Sequence, residues 1–166
     1  LLILGSLPGA ESLRRRQYYA QPRNHFWRIV GAIYGASPDL PYDERAAVLV
    51  ANGVALWDVC AAAYRVGSLD AAIEPETVEV NHFASFYAAH PRVARVCCNG
   101  TTAAELYRRR VLSALPAPWR ETVPVRLPSS SPAHAAMSFE QKLERWRELL
   151  GAGPASPPRA AEPKPP

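Results

Sequence analysis

The chain has 166 residues, 48% of them hydrophobic, which is enough for one buried core and too short for two ordinary domains. No apolar stretch approaches the length of a membrane span and no secretory leader is recognisable, so we expect a soluble, cytoplasmic protein. The net charge of +4 includes two arginine runs, at 14–16 and 108–110, which suit a polyanion but are equally typical of solubilising helix faces.

Four short apolar runs predict the buried strands of a parallel sheet, at residues 1–4, 54–59, 93–98 and 123–127. Between the first two, a helix is predicted from apolar residues that recur at spacings of three and four and stop at Gly35: Phe26, Ile29, Val30, Ile33 and Tyr34. A second helix is predicted at about 43–51, before Asn52 and Gly53. This alternation of strands and helices indicates a helix-flanked parallel sheet.

Two further helices follow the third and fourth strands. After Asn99 and Gly100, Thr101 or Thr102 is the predicted cap of a helix. The last helix is predicted to begin with a capping box of Ser138 and Gln141 and to bury Phe139, Leu143, Trp146 and Leu150. The proline-rich stretch 151–166 is predicted to be a disordered tail that follows a single domain of residues 1–150.

The cysteines show no spacing that indicates a functional site. There are three, Cys60, Cys97 and Cys98, and the adjacent pair lies inside an apolar run rather than at the spacing of metal ligands. We therefore expect buried thiols in a reducing compartment, and no metal site.

A long polar and aromatic motif follows the first predicted strand. It opens as GSLPGAESL, in which Gly5 and Gly9 allow close backbone approach and Pro8 fixes a turn. It continues to Trp27 as RRRQYYAQPRNHFW, which places arginines beside paired tyrosines and an amide. Such a combination suits nucleic-acid bases and phosphates. Ligands of open α/β sheets bind where the strands end, so a site is expected here.

This motif resembles the first motif of the uracil-DNA glycosylase superfamily, and most closely its hypoxanthine (deoxyinosine) DNA glycosylase branch. Two further segments resemble that branch, VCCNG at 96–100 and LPSSSPAHAAMSFEQKLERW at 127–146. The resemblance implies an α/β fold, a three-layer α/β/α sandwich around a short, mainly four-stranded parallel sheet. It also implies a monofunctional DNA glycosylase that works without a metal or other cofactor.

The resemblance assigns catalysis to Asn24, as the amide that positions the attacking water or contacts the leaving base. Preorganised amides and backbone donors can stabilise the charges that form as a base departs. Asn24 also stands at the start of a predicted helix, where Asn is a favoured cap, so a purely structural role is the alternative.

Base recognition is assigned by the resemblance to Asn99, whose amide can donate and accept at the edge of a flipped base. The alternative is a strand-to-helix turn, for which Asn-Gly is common. The ring of Phe26 is expected to stack on the base, although its spacing with Val30 equally suits the core. Tyr19 and Ser6 are expected to line the same pocket.

The serine loop, residues 128–132 with the sequence PSSSP, resembles the superfamily segment that grips phosphates. Its short hydroxyls, on Ser129, Ser130 and Ser131, are expected to bond phosphate oxygens. Arg23 is expected to contact DNA, and His134 either contacts DNA or caps the final helix. Without the neighbouring motifs, such a segment would be a generic loop.

Three positions depart from the superfamily pattern. Ser6 stands where other branches have a water-activating Asp or Asn, Leu127 where they often have a base-contacting His, and Gln21 where His is usual. Because Leu127 cannot polarise a pyrimidine carbonyl, we expect hypoxanthine as the main substrate, with uracil or xanthine as alternatives. Asp58, at the end of the second strand, is either an alternative general base or a structural hydrogen-bonding residue.

The expected function is therefore excision of a deaminated base from DNA in base-excision repair, by a monomer. Two other classes stay open. A DNA-damage-binding protein of the same fold, weak or inactive in catalysis, is suggested by Ser6 and Leu127. A hydrolase of free nucleosides would need neither the serine loop nor the arginine runs.

Overall fold

In the computed structural model, which describes residues 1–117 and 119–151, the four apolar runs form the strands of one sheet. In chain order the elements are β1 (Leu2–Gly5), α1 (Ala10–Arg15), α2 (Phe26–Tyr34), α3 (Tyr42–Ala51), β2 (Ala55–Asp58), β3 (Cys60–Ala62), β4 (Glu79–Val80), α4 (Phe83–Ala89), β5 (Val96–Asn99), α5 (Thr101–Leu106), β6 (Val125–Leu127) and α6 (Phe139–Leu150). A π-helical turn, Tyr107–Val111, continues α5. Apart from Gly151, the predicted tail lies outside the described residues.

The four strands are parallel and lie in the order β2-β1-β5-β6. Gly5 is in register with Asp58, and Asn99 with Leu127, so the strands end along a common edge. Every residue of β1 and β5 is buried, because helices cover both faces of the central strands. This carboxyl edge of the sheet, where β1, β2, β5 and β6 end, is where the polar motifs gather.

Two apolar clusters form the core, one on each face of the sheet. Ile3 of β1 packs with the residues of α2 and α6, whereas Leu2 and Leu4 pack with those of α4 and α5. Successive side chains of a strand point to opposite faces, so one short strand contributes to both clusters. The predicted three-layer α/β/α sandwich is confirmed.

Two predicted helix ends are also confirmed. The helix α2 stops at Gly35, which adopts a left-handed conformation with φ of 82° and donates its N–H to the Gly31 carbonyl. At the start of α6, the Ser138 hydroxyl accepts from the Gln141 N–H while the Gln141 side chain accepts from the Ser138 N–H. This reciprocal pair is the predicted capping box.

The predicted threonine cap of α5 is wrong. Gly100 is the N-cap residue, with φ of 99°, and no side chain caps this helix. The N–H of Gly100 bonds to the Leu127 carbonyl at 3.0 Å, which continues the pairing of β5 with β6 as far as this residue. A residue in this left-handed conformation is most easily glycine, so the helix begins at Thr101 without help from a threonine hydroxyl.

The segment between β2 and β5 shows structure that the sequence patterns did not predict. It contains a two-stranded antiparallel sheet of β3 and β4, short 3-10 turns at Asp70–Ala72 and Pro75–Thr77, and the helix α4. The six-residue helix α1 was likewise not predicted. Within the described part of the chain, no helix combines the length and apolar character needed to cross a membrane.

Candidate functional site

Asn99, the last residue of β5, fixes the serine loop in place. Its Nδ2 donates to the Ser130 hydroxyl at 2.8 Å, and its Oδ1 accepts from the Ser130 N–H at 2.9 Å. Asn99 is 8% exposed and Ser130 is fully buried. Because an amide can make up to four hydrogen bonds, one N–H and one lone pair of Asn99 are left for another partner.

The same serine connects the loop to the start of α2. The Ser130 carbonyl accepts from the backbone N–H of His25 at 3.0 Å, next to Asn24. The Asn24 Oδ1 accepts from the Phe26 N–H at 2.9 Å, as in an Asx turn. No described residue accepts a hydrogen bond from the Asn24 Nδ2. Asn24 therefore supports the helix start through its oxygen and keeps its NH₂ group available as a donor.

Tyr19 presents the aromatic surface of the site. Its ring stacks on that of Phe26, with centroids 3.9 Å apart and planes 15° apart. Phe26 is fully buried and packs edge-on against Trp27 and Trp146. The position of Phe26 therefore fits the core role that the sequence left open, and its stacking on a base stays a prediction.

The hydroxyl of Tyr19 is buried among polar groups. It lies beside Gly5, Asp58 and Asn99 and has no hydrogen-bond partner among the described residues. Burial raises the pKa of Tyr19 far above its ordinary value, with the Asp58 carboxylate adding to the shift. The backbone at Tyr19 is left-handed, with φ of 52°, which is uncommon for a residue with a side chain.

Asp58, at the end of β2, is a buried carboxylate at the same edge. It is 7% exposed, and its carboxylate accepts no hydrogen bond from a described residue; only its backbone carbonyl accepts, from Asn81. Burial, followed by the charge of Asp70, raises the pKa of Asp58 to about 7. A methyl group at Gly5 would overlap this carboxylate, so glycine is needed there for space.

The Ser6 side chain points towards the segment between β2 and β5, whose structure the sequence patterns did not predict. Its hydroxyl donates to the Asp70 carboxylate at 2.7 Å. Arg65 contacts the same carboxylate at 3.4 Å and donates to the Pro8 carbonyl at 2.7 Å. These bonds fasten the turn after β1. A contact between Ser6 and a base stays a prediction, and the roles of Arg65 and Asp70 had no sequence signal because their segment lacks periodicity.

The serine loop is anchored from both sides. Trp146 of α6 donates its indole N–H to the Pro128 carbonyl at 2.8 Å, and the Lys142 ammonium donates to the Ser131 carbonyl at 3.2 Å. Within the loop, the Ser131 N–H donates to the Ser129 hydroxyl at 3.2 Å. The loop is thus held by α6 on one side and by β5, through Asn99, on the other.

A cleft of about 410 Å³ adjoins the serine loop, and Arg23 and His134 both line it. His134 does not cap α6, because Ser138 does. Lys142 also lines the cleft; the sequence signal was its spacing of three from Phe139 and four from Trp146, which puts a charge on the apolar stripe of α6.

Arginines of both runs bond to other groups of the protein. Arg14 and Arg15 both pair with Glu11 on α1, and Arg110 donates to the Pro75 carbonyl. Among residues 1–117 and 119–151, no three His, Cys, Asp or Glu side chains come together as a metal ion would require. The edge instead collects an aromatic face, two amides and one carboxylate, groups that can hold a planar polar molecule.

Comparisons with known proteins identify relatives. The model of the uracil DNA glycosylase superfamily matches residues 1–150. Two proteins named hypoxanthine DNA glycosylase, from Methanosarcina acetivorans and Methanosarcina barkeri, are 42% and 41% identical over 106 residues. The match covers 63% of this chain and 66% of each relative, slightly less than two thirds of their length.

A solved structure is also similar. The solution NMR structure of a candidate uracil DNA glycosylase from Methanosarcina acetivorans superposes with a TM-score of 0.68 at 35% identity, covering 90% of this chain and 89% of that one.

Proposed function

Because the chain belongs to the uracil DNA glycosylase superfamily, we propose that it is a DNA glycosylase that removes a deaminated base, hypoxanthine in preference to uracil or xanthine, in base-excision repair. The observation that carries this proposal is the convergence of Tyr19, Asn24 and the Asn99–Ser130 pair at the carboxyl edge of the sheet. The names of the two Methanosarcina relatives support the choice of hypoxanthine.

Recognition begins with a base rotated out of the duplex, as enzymes that act on a base require. One face of the base stacks on the outer face of Tyr19, whose inner face is supported by Phe26. The remaining N–H and lone pair of Asn99 meet the base edge. Hypoxanthine presents a carbonyl oxygen and a ring N–H side by side, which match one donor and one acceptor of an amide.

Cleavage of the glycosidic bond leaves the bonding electrons on the base, and water supplies the hydroxyl group that joins C1′ of the sugar. Asn24 acts as a donor to the departing base, since its oxygen is bonded to the Phe26 N–H and its NH₂ group is available. Asp58, a buried carboxylate at this edge, takes the proton that the water loses. This assignment selects base contact over water positioning for Asn24.

The serine loop holds the DNA strand through its hydroxyl and backbone groups, with Arg23 and His134 beside it. We propose that the protein acts as a monomer, since all of these groups come from one chain. The buried thiols of Cys60, Cys97 and Cys98 support a location in the reducing cytoplasm.

The test is an assay for abasic sites. The chain is incubated, with chelator and no added metal, with duplexes that carry one deoxyinosine, deoxyuridine or deoxyxanthosine, and with free deoxyinosine. Alkali then cleaves the DNA at abasic sites. We expect cleavage at deoxyinosine above all, a loss of at least about a hundredfold in Asn24→Ala, and no such loss in the control Asn52→Ala, an exposed amide after α3.

The outcomes separate the functional classes. Release of hypoxanthine from the nucleoside but not from the duplex would favour a nucleoside hydrolase. Tight binding to the deoxyinosine duplex without any abasic product would favour the DNA-damage-binding protein. An Asn24→Ala variant as active as the chain itself would leave a glycosylase whose catalytic amide lies elsewhere.

A further inference from the structure

We propose that the hydroxyl group of Tyr19 is a catalytic group that holds the attacking water against the Asp58 carboxylate. The water donates one hydrogen to Asp58 and the other to the Tyr19 oxygen, so its lone pairs are left for C1′ of the sugar. This inference deepens the proposed function and rests on it. It gives the hydroxyl of Tyr19 a task that is separate from the stacking of its ring.

The first argument is that this hydroxyl is buried without a partner. The Tyr19 oxygen makes no hydrogen bond to any group of residues 1–117 and 119–151. Burying a hydroxyl in this way is unfavourable, and such groups in native proteins are usually bonded to protein or water. A phenylalanine would supply the same stacking surface, as Phe26 does behind it. The hydroxyl is therefore the part of Tyr19 that stacking does not explain.

The second argument is that the Tyr19 hydroxyl and the Asp58 carboxylate border the same space beside Gly5. A β-carbon at Gly5 would overlap Oδ1 of Asp58 and lie 3.1 Å from the Tyr19 oxygen. Neither the hydroxyl nor the carboxylate has a hydrogen-bond partner in the described part of the chain. A bound water needs at least two polar partners, and two oxygens that face one space can accept both of its hydrogens.

The third argument is the backbone that orients Tyr19. Its φ of 52° lies in the left-handed region, which residues with a β-carbon seldom adopt. On one side the Trp27 indole N–H donates to the Tyr18 carbonyl at 2.8 Å. On the other side the Ala20 N–H donates to the Ser12 hydroxyl at 3.2 Å. Conformations that are held against strain in this way are concentrated at active sites.

The two oxygens have different tasks in the reaction. Burial raises the pKa of Tyr19 far above its ordinary value, so the phenol stays protonated and orients the water without taking its proton. That proton goes to Asp58 as the water oxygen bonds to C1′, while the C1′–N bond breaks and its electrons remain on the base. Ser6, another hydroxyl at this edge, donates its hydrogen to Asp70 at 2.7 Å.

The decisive variant is Tyr19→Phe, which removes only the hydroxyl and keeps the ring that packs on Phe26. Tyr34→Phe is the matched control, since it removes the same atom from a half-buried tyrosine. Tyr34 is the last residue of α2, whereas Phe26 is the first, so the control lies at the other end of the helix. Circular dichroism and thermal melting of each variant establish that it is folded.

Single-turnover rates on a deoxyinosine duplex separate an effect on the water from an effect on the base. The maximal rate of Tyr19→Phe should fall by at least about tenfold. The enzyme concentration that gives half of this rate should not change, because stacking is retained. Tyr34→Phe should match the wild type in both. Tyr19→Phe should have a smaller effect in Asp58→Asn than in the wild type, since both side chains hold the same water.

Methanol provides a readout that a purely structural hydroxyl would not affect. It has one hydrogen, for Asp58, and presents a methyl group to Tyr19 where water presents its second hydrogen. When its oxygen joins C1′, the strand carries a methyl glycoside, which differs in mass from the abasic site. In aqueous methanol, the share of methyl glycoside should be higher for Tyr19→Phe than for the wild type and Tyr34→Phe.

The results distinguish failure of this inference from failure of the proposed function. A wild-type rate and an unchanged methanol share in folded Tyr19→Phe would overturn the inference and leave the glycosylase in place. A loss confined to binding would assign the hydroxyl to the base and overturn it as well. Absence of abasic product from the wild-type chain would overturn the proposed function and this inference together.

Discussion

Ionisation of Asp58 destabilises the folded protein, whereas the proposed mechanism requires the ionised form. The carboxyl group is removed from water at the end of β2, and its pKa is raised to about 7. At pH values between the ordinary carboxyl pKa and about 7, Asp58 therefore binds a proton more tightly in the folded state than in the unfolded chain. Stability should fall as the pH rises through that window, while the ionised form that the proposed mechanism requires becomes populated.

Replacing Asp58 with Asn should separate these two effects. Relative to the wild type, Asp58→Asn should gain about 4 kcal/mol in unfolding free energy between pH 4 and pH 8. Its glycosylase rate should be low and should lack the rise near pH 7 that we expect of the wild type. Urea denaturation and single-turnover rates across this range are the measurements, with the exposed Asp43→Asn as control. Parallel stability curves for wild type and variant would contradict the burial argument.

Individual site residues were predictable only where they belong to a motif that is recognisable in the sequence. Asn24, Asn99 and the serines stand out because they follow strands or precede helices in an otherwise apolar pattern. Their partners do not, since the bonds between Asn99 and Ser130 join residues 31 positions apart. The link between Ser6 and Asp70 spans 64 positions, and no local pattern encodes such a pair.

At the scale of elements, the last helix depends on its first turn. Ser138 and Gln141 exchange hydrogen bonds there, and α6 carries both Trp146 and Lys142, which anchor the serine loop. Ser138→Ala should lower the unfolding free energy by about 1 kcal/mol and Tm by about 2 to 4 °C. Ser113→Ala, at an exposed position without a side-chain hydrogen bond, should change Tm little. Equal melting temperatures of the two variants would mean that the cap does not stabilise α6.

Elements with strong periodicity or clear end signals were predictable. The helix α2 has a complete apolar stripe and stops at Gly35, and α6 has its capping box. The segment between β3 and α4 consists of short pieces whose shape depends on distant contacts, such as that between Arg65 and the Pro8 carbonyl. The cap of α5 was misassigned because the helix begins after Gly100, whose positive φ makes the turn out of β5, and not after a residue whose hydroxyl group caps the helix.

Over the whole molecule, the fold class followed from four apolar runs with helices between them, since parallel strands must be connected by crossovers. The shared strand β1 joins the two apolar clusters, so neither face of the sheet can unfold alone. We expect one cooperative transition, in which the fluorescence of Trp146 on one face and Trp57 on the other reports the same midpoint as far-UV circular dichroism. Single-tryptophan variants provide the measurement, and separated midpoints would show that the clusters are independent.

For the proposed glycosylase, the anchoring of the serine loop bears on how quickly a damaged base is found. Bonds to Asn99, Trp146 and Lys142 hold this loop in a fixed shape before any nucleic acid arrives. The entropy of ordering it has therefore been lost during folding and is not lost again at each encounter. If the loop contacts DNA as proposed, brief contacts with long stretches of intact duplex can be made and broken without rearrangement of the loop.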